Sequence, residues 1–126
     1  MAPPAPLDGE NPVGRALDDL VGGSDVAGSL DAGDTLDGGA GNDTLYGGDE
    51  TDLMDGGASN DLVVGDSGDD TLTGDSGDDT LTGGMGNDFM GGGNGDDLMF
   101  GECNDDTMLG GAGKDTLDGG CGNDLL

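Results

Sequence analysis

Gly38-Gly39-Ala40-Gly41-Asn42-Asp43-Thr44-Leu45-Tyr46 is the stretch that decides the fold, because the chain repeats its pattern without a break. By residue type it reads Gly-Gly-x-Gly-x-Asp-x-(large apolar)-x. The pattern opens again at Gly47, Gly56, Gly65, Gly74, Gly83, Gly92, Gly101 and Gly110, and a further copy runs from Gly119 to Leu126. The first place is Gly in all ten copies. The sixth is always Asp: Asp43, Asp52, Asp61, Asp70, Asp79, Asp88, Asp97, Asp106, Asp115 and Asp124. The eighth is always apolar: Leu45, Met54, Val63, Leu72, Leu81, Met90, Met99, Met108, Leu117 and Leu126. A short fixed period marks a repeat architecture, in which stacked neighbours bury what no single unit buries alone.

Composition says what else the fold requires. The 126 residues include 31 Gly, 29 acidic side chains, two basic ones (Arg15 and Lys114), no His and no Trp, for a net charge of −27. A chain this acidic and this poor in aromatics does not collapse alone in water. A multivalent cation is the missing partner. Nucleic acid and anionic membranes are disfavoured as partners, since nothing offsets phosphate repulsion. No apolar run approaches the ~20 residues of a membrane span. Asp is a hard oxygen ligand, and Gly-rich turns expose backbone carbonyls as further oxygens. Calcium takes six to eight such oxygens in flexible geometry, whereas magnesium keeps its water and demands an octahedron. The lack of His argues against zinc and the late transition metals.

The spacing from Gly38 to Leu126 resembles the RTX (repeats-in-toxin) nonapeptide repeat. That resemblance implies an all-β fold, a right-handed parallel β-roll with two nonapeptides per turn. Each repeat is expected to divide into a six-residue turn and a three-residue strand. Alternation then sends the eighth side chain inward and the seventh and ninth outward. Residues eighteen apart stack, giving two inner columns. One is Leu45, Val63, Leu81, Met99 and Leu117; the other is Leu36, Met54, Leu72, Met90, Met108 and Leu126. A core one side chain wide per strand does not offset the ordering entropy of so many residues, so bound ions must supply much of the stability.

The resemblance also implies where the ions sit. An ion lies between two turns eighteen residues apart. The earlier turn gives its second and fourth carbonyls and its Asp; the later gives its first and third carbonyls and its Asp. In one column this joins Gly39, Gly41 and Asp43 to Gly56, Ala58 and Asp61. Next come Gly57, Ser59 and Asp61 with Gly74, Ser76 and Asp79, then Asp75, Gly77 and Asp79 with Gly92, Asn94 and Asp97. Gly93, Gly95 and Asp97 with Gly110, Ala112 and Asp115 complete it. The other column joins Gly48, Glu50 and Asp52 to Gly65, Ser67 and Asp70, and Asp66, Gly68 and Asp70 to Gly83, Met85 and Asp88. It continues with Gly84, Gly86 and Asp88 against Gly101, Cys103 and Asp106, and Glu102, Asn104 and Asp106 against Gly119, Cys121 and Asp124. The expected cofactor is therefore Ca2+, about eight ions, which would take the net charge from −27 to about −11. Asp66, Asp75 and Glu102 depart from Gly at the second place, and Glu50, Ser59 and Asn104 at the fourth. Asn tolerates positive φ better than Glu or Ser, so the sites using Glu50 and Ser59 are expected to be the weakest.

Residues 1–37 read differently from 38–126. The first ten form a Pro-rich tail without the basic and apolar regions of a secretory signal. Asn11 and Pro12 suit a helix start, and Val13, Ala16, Leu17 and Leu20 follow as one stripe toward Gly22 and Gly23. This predicts a short helix capping the first rung. Residues 20–37 read as two degraded repeats, with Asp25 and Asp34 at the sixth place and Ala27 and Leu36 at the eighth. Cys103 and Cys121 are third-place residues on adjacent turns, within the Cα spacing of a disulfide.

No catalytic constellation stands out. There is no His, no Ser or Cys lies near a base, and the sixth-place carboxylates are committed as ligands. No enzyme is expected. The resemblance implies an extracellular calcium-binding structural or accessory protein, exported unfolded by the type I route and folded by external calcium. The family's export signal follows the repeats, which leaves room for a fragment of a longer secreted enzyme, toxin or adhesin. A different class of function is a self-assembling filament, a head-to-tail homo-oligomer. Asp115, Asp124 and Leu126 would be completed by the first rungs of another copy. Tyr46, Leu62, Val64, Leu98 and Phe100 on one outer face, and Leu53, Phe89, Leu109 and Leu125 on the other, add apolar surface.

Overall fold

The computed structural model describes the backbone of residues 20–22 and the whole of residues 33–126. Among them there are eleven strands and no helix. The strands are β1 (Leu20–Gly22), β2 (Thr35–Ala40), β3 (Thr44–Gly48), β4 (Leu53–Ala58), β5 (Leu62–Ser67) and β6 (Thr71–Ser76). They continue with β7 (Thr80–Met85), β8 (Phe89–Asn94), β9 (Leu98–Cys103), β10 (Thr107–Ala112) and β11 (Thr116–Asp118). Consecutive strands alternate between two sheets. One runs β1-β3-β5-β7-β9-β11 and the other β10-β8-β6-β4-β2. Every neighbouring pair is parallel, and from β2 onward partners are eighteen residues apart, as in Val63↔Leu81 and Leu72↔Met90. The fold is a parallel β-solenoid of about five turns.

The inner columns are as the eighth-place pattern predicts. Leu36, Leu45, Met54, Val63, Leu72, Leu81, Met90, Met99 and Met108 are buried and form one cluster, with Leu117 packed against it. Leu36↔Met54 are register partners, so the column reaches one turn above the first full repeat. Leu126 departs from the expectation: it is 62% exposed. Beyond β11 the chain makes only isolated bridges, Cys103↔Cys121 and Thr107↔Leu125, and no rung forms to hold Leu126 inward.

Two further expectations need correction. Most strands span six residues, not three; β3 has five and β1 and β11 three. They run from the seventh place through the eighth and ninth into the first three places of the next repeat, as in Thr80–Met85. The in/out alternation continues as far as the first place, so the eighth place and the following first place both face inward, while the third place is exposed in Thr80–Met85 and Leu98–Cys103. Only the fourth to sixth places are left to turn the chain. At the top of the stack, Leu20–Gly22 is a strand and not the end of a helix. It lies against β3 with Leu20↔Thr44 and Val21↔Leu45, an offset of 24 residues. The eighteen-residue phase expected for residues 20–37 therefore does not hold at Leu20–Gly22, where Val21 is the register partner of Leu45. An unpaired β3 edge presents backbone N–H and C=O groups, and the backbone of Leu20–Gly22 pairs with it. The rest of the expected helix, and the degraded-repeat positions Asp25 and Ala27, lie outside the described residues.

Candidate metal centres between the turns

The sixth-place aspartates stand in two buried columns. Asp34, Asp43, Asp52, Asp61, Asp70, Asp79, Asp88, Asp97 and Asp106 are each at most 5% exposed. Buried carboxylates need partners. From Asp61 to Asp106, one oxygen of each finds a backbone donor one turn earlier: the N–H of Asp61 donates to Asp79 Oδ1 at 2.8 Å, and that of Asp70 to Asp88 Oδ1 at 2.8 Å. The other oxygen does not. Oδ2 of Asp61, Asp70, Asp79, Asp88, Asp97 and Asp106 is buried with no hydrogen-bond partner. Asp115 and Asp124 are half-buried, and their Oδ1 atoms accept from Asp97 and Asp106 at 3.0 Å.

Each orphaned oxygen sits over the first-place glycine of its own repeat. A Cβ added at Gly83 would lie 2.3 Å from Asp88 Oδ2, and one at Gly92 would lie 2.2 Å from Asp97 Oδ2. The invariant first glycine is thus a requirement for space beneath the carboxylate.

Backbone carbonyls converge on the same layers from both sides. The Gly39 carbonyl oxygen would be 2.1 Å from a Cβ at Gly57, and the Glu50 oxygen 1.7 Å from one at Gly68, so second- and fourth-place carbonyls project onto the next turn. In the opposite direction, the Gly83 oxygen would be 2.6 Å from a Cβ at Gly65. The Met85 oxygen accepts from the Gly68 N–H at 2.8 Å. First- and third-place carbonyls therefore project back toward the earlier turn. Among the described residues, no three Asp, Glu, Cys or His side chains cluster closely enough to hold a metal by themselves. Any ion here needs the carbonyls, and a hard-oxygen set of carboxylate and carbonyl suits calcium. The orphaned Oδ2 atoms fit it.

The backbone that aims these carbonyls is left-handed at the second and fourth places, and the six departures from glycine obey it. Glu50 (φ 76°), Ser59 (86°), Asp66 (85°), Asp75 (80°), Glu102 (82°) and Asn104 (85°) are the non-Gly residues at positive φ among the described residues. For an L-residue this conformation costs about 1–2 kcal/mol. Glu50→Gly is therefore expected to stabilise the calcium-loaded chain by about 1 kcal/mol, read as a raised denaturation midpoint. Ala58→Gly, at a place without positive φ, should give no gain.

Burial raises the carboxyl pKa values. It pushes Asp70 up to about 7 and Asp61, Asp79 and Asp88 up to about 6. The backbone N–H of the preceding turn opposes this in each case, and neighbouring carboxylates of the stack reinforce it. Asp97 and Asp106 are raised for the same reasons.

A second ladder was not foreseen. Fifth-place side chains cap the turn below: Asn60 Oδ1 accepts the Asp78 N–H, and Asp78 Oδ1 the Asp96 N–H, both at 2.9 Å. Asp69, Asn87 and Asp105 do the same in the other column. This ladder runs from earlier side chain to later N–H, opposite in sense to the aspartate ladder. Its signal was in the sequence: eight of ten fifth places are Asn or Asp, the exceptions being Thr51 and Lys114. Asp34, buried and donating its N–H to Asp52 Oδ1 at 2.7 Å, belongs to the sixth-place column although its repeat is degraded.

The family model for the RTX calcium-binding nonapeptide repeat, built of four copies, matches residues 30–63, 64–99 and 91–126. The chain belongs to the RTX calcium-binding repeat family. No curated protein and no solved structure matches it. The RTX repeat is a structural calcium-binding unit, and the orphaned carboxylates of this chain stand at the sixth place of its nonapeptides.

Proposed function

We propose that this RTX chain is an extracellular structural module whose roll forms on calcium binding, with about eight ions between successive turns. The observation that carries the proposal is that, in the two buried aspartate columns, Oδ2 of Asp61, Asp70, Asp79, Asp88, Asp97 and Asp106 lacks any hydrogen-bond partner. Their ligand sets are the carbonyl and carboxylate groups that meet between turns, such as Gly57, Ser59 and Asp61 with Gly74, Ser76 and Asp79. No catalytic role is proposed. Export by the type I route, typical of the family, supports an extracellular address. There calcium is abundant and would hold the exported chain folded.

Asp79 tests the assignment, because it stands in two of the proposed sites. Calorimetric titration of the intact chain should count about eight ions, and Asp79→Ala should lower the count to about six. An unchanged count, or no calcium uptake by the wild type, would remove the basis of the proposal.

End-to-end stacking of copies is a second reading. Leu109, Leu125 and Leu126 are exposed near β10 and β11, the last strands of the two sheets. A chain that stays monomeric at high concentration in saturating calcium rules this out.

A further inference from the structure

Third-place side chains face away from the core, and in one column they include Met85, Cys103 and Cys121 on three successive turns. Met85 and Cys103 are register partners between β7 and β9. Cys103 and Cys121 pair in an isolated parallel bridge. That bridge is fixed by the Cys121 N–H donating to the Glu102 carbonyl and the Asn104 N–H donating to the Cys121 carbonyl, both at 2.8 Å. Both thiols are free and exposed, and Met85 is 60% exposed. Met85 and Cys103 line one shallow recess, and Cys103 and Cys121 the next. Three soft sulfur donors thus form a ladder down one outer edge of the roll.

The spacing separates two uses of the thiols. In-register parallel neighbours hold their Cβ atoms about 4.8 Å apart. A disulfide takes Cβ atoms about 3.5–4.5 Å apart, so closing one requires the backbone to move. A metal ion bound at about 2.3 Å from each sulfur spans the gap as it stands.

We propose that Cys103 and Cys121, with the Met85 thioether beside them, form a site for a thiophilic d10 cation, Cu(I). Thiolate and thioether donors select Cu(I) over hard cations. Zinc takes four ligands in a structural site, and the ladder offers two thiolates and one weak donor. Calcium takes oxygen only, so the two metals sort by donor type. The carbonyls of Met85 and Cys121 accept from the turn N–H groups of Gly68 and Asn104, while all three side chains are exposed. Uptake of one Cu(I) by two thiols releases two protons and leaves a bis-thiolate unit of charge −1, with no change of oxidation state. The strongly anionic surface concentrates cations around the site.

The test uses the intact, reduced, calcium-loaded chain without air. Cu(I) is titrated in competition with a chromophoric Cu(I) chelator, and the titration is repeated with redox-inert Ag(I). One equivalent should be retained per monomer, and both thiols should lose their reactivity to alkylation. Cys103→Ser and Cys121→Ser should each abolish that equivalent with unchanged circular dichroism, and Met85→Leu should weaken retention without abolishing it. The proposal is overturned if the wild type retains no more Cu(I) than a chain carrying both Ser substitutions. It is equally overturned if the ion is held between two chains, seen as a doubled mass.

Discussion

Leu81→Asp is expected to abolish the fold even in saturating calcium, while Thr80→Asp leaves it in place. Leu81 is fully buried between its register partners Val63 and Met99, in a cluster of nine buried apolar side chains among the described residues. The substitution removes about 2 kcal/mol of apolar burial. It also places a carboxylate where no donor or cation is present, at a cost of several kcal/mol more. The damage spreads because each rung is held only by its neighbours, so a broken rung separates the turns above from those below. Thr80 points to the other side of the same strand. It is half-buried on the outer face, between Leu62 and Leu98, where a carboxylate keeps its water. Far-UV circular dichroism and protease resistance, both in calcium, distinguish the two variants. Equal loss from both would show that the eighth-place column does not hold the sheets together.

The second large effect is removal of calcium. In excess chelator at pH 7 the chain should be coil, and millimolar calcium should restore β-structure where magnesium does not. The physical reason lies in the buried carboxylates. Burial holds Asp61, Asp79 and Asp88 at about 6 and Asp70 at about 7, above the ordinary carboxyl value of 3.8. A raised carboxyl pKa contributes stability that is fully present below pH 3.8 and is lost as pH rises through 6 to 7. At neutral pH the metal-free roll must therefore hold charges it disfavours, packed one above another. Calcium inverts this preference by making the ionised carboxylate the favoured form. Two signs follow. In chelator, lowering the pH from 7 toward 4 should recover β-structure. In calcium, affinity should rise as the pH climbs through 6 to 7. A chain equally folded with and without chelator at pH 7 would show that the strands and apolar columns suffice alone.

Much of this molecule was legible before any coordinate. The eighth-place residues from Leu45 to Met108 announced the core, and the sixth-place aspartates announced the buried columns. A strict nine-residue period leaves little freedom: once one repeat is placed, stacking places its neighbours, and one phase decides which side chains face inward. Even the six non-Gly residues at positive φ stood at the places the pattern reserves for glycine.

The tertiary structure decided what depends on relations between turns or on where the pattern lapses. The fifth-place ladder joins each side chain to an N–H eighteen residues on, and only stacking shows which neighbour receives it. Six-residue strands emerged because the inward first-place glycine continues the alternation begun by the eighth. Leu20–Gly22 became a strand because β3 presents an edge to be paired, a demand that no local helix signal at Asn11 and Pro12 registers. Leu126 matches the core pattern and is exposed, because an apolar residue is buried only where a neighbouring rung covers it. Local period determines which way a side chain faces; the neighbouring turn determines whether anything meets it there.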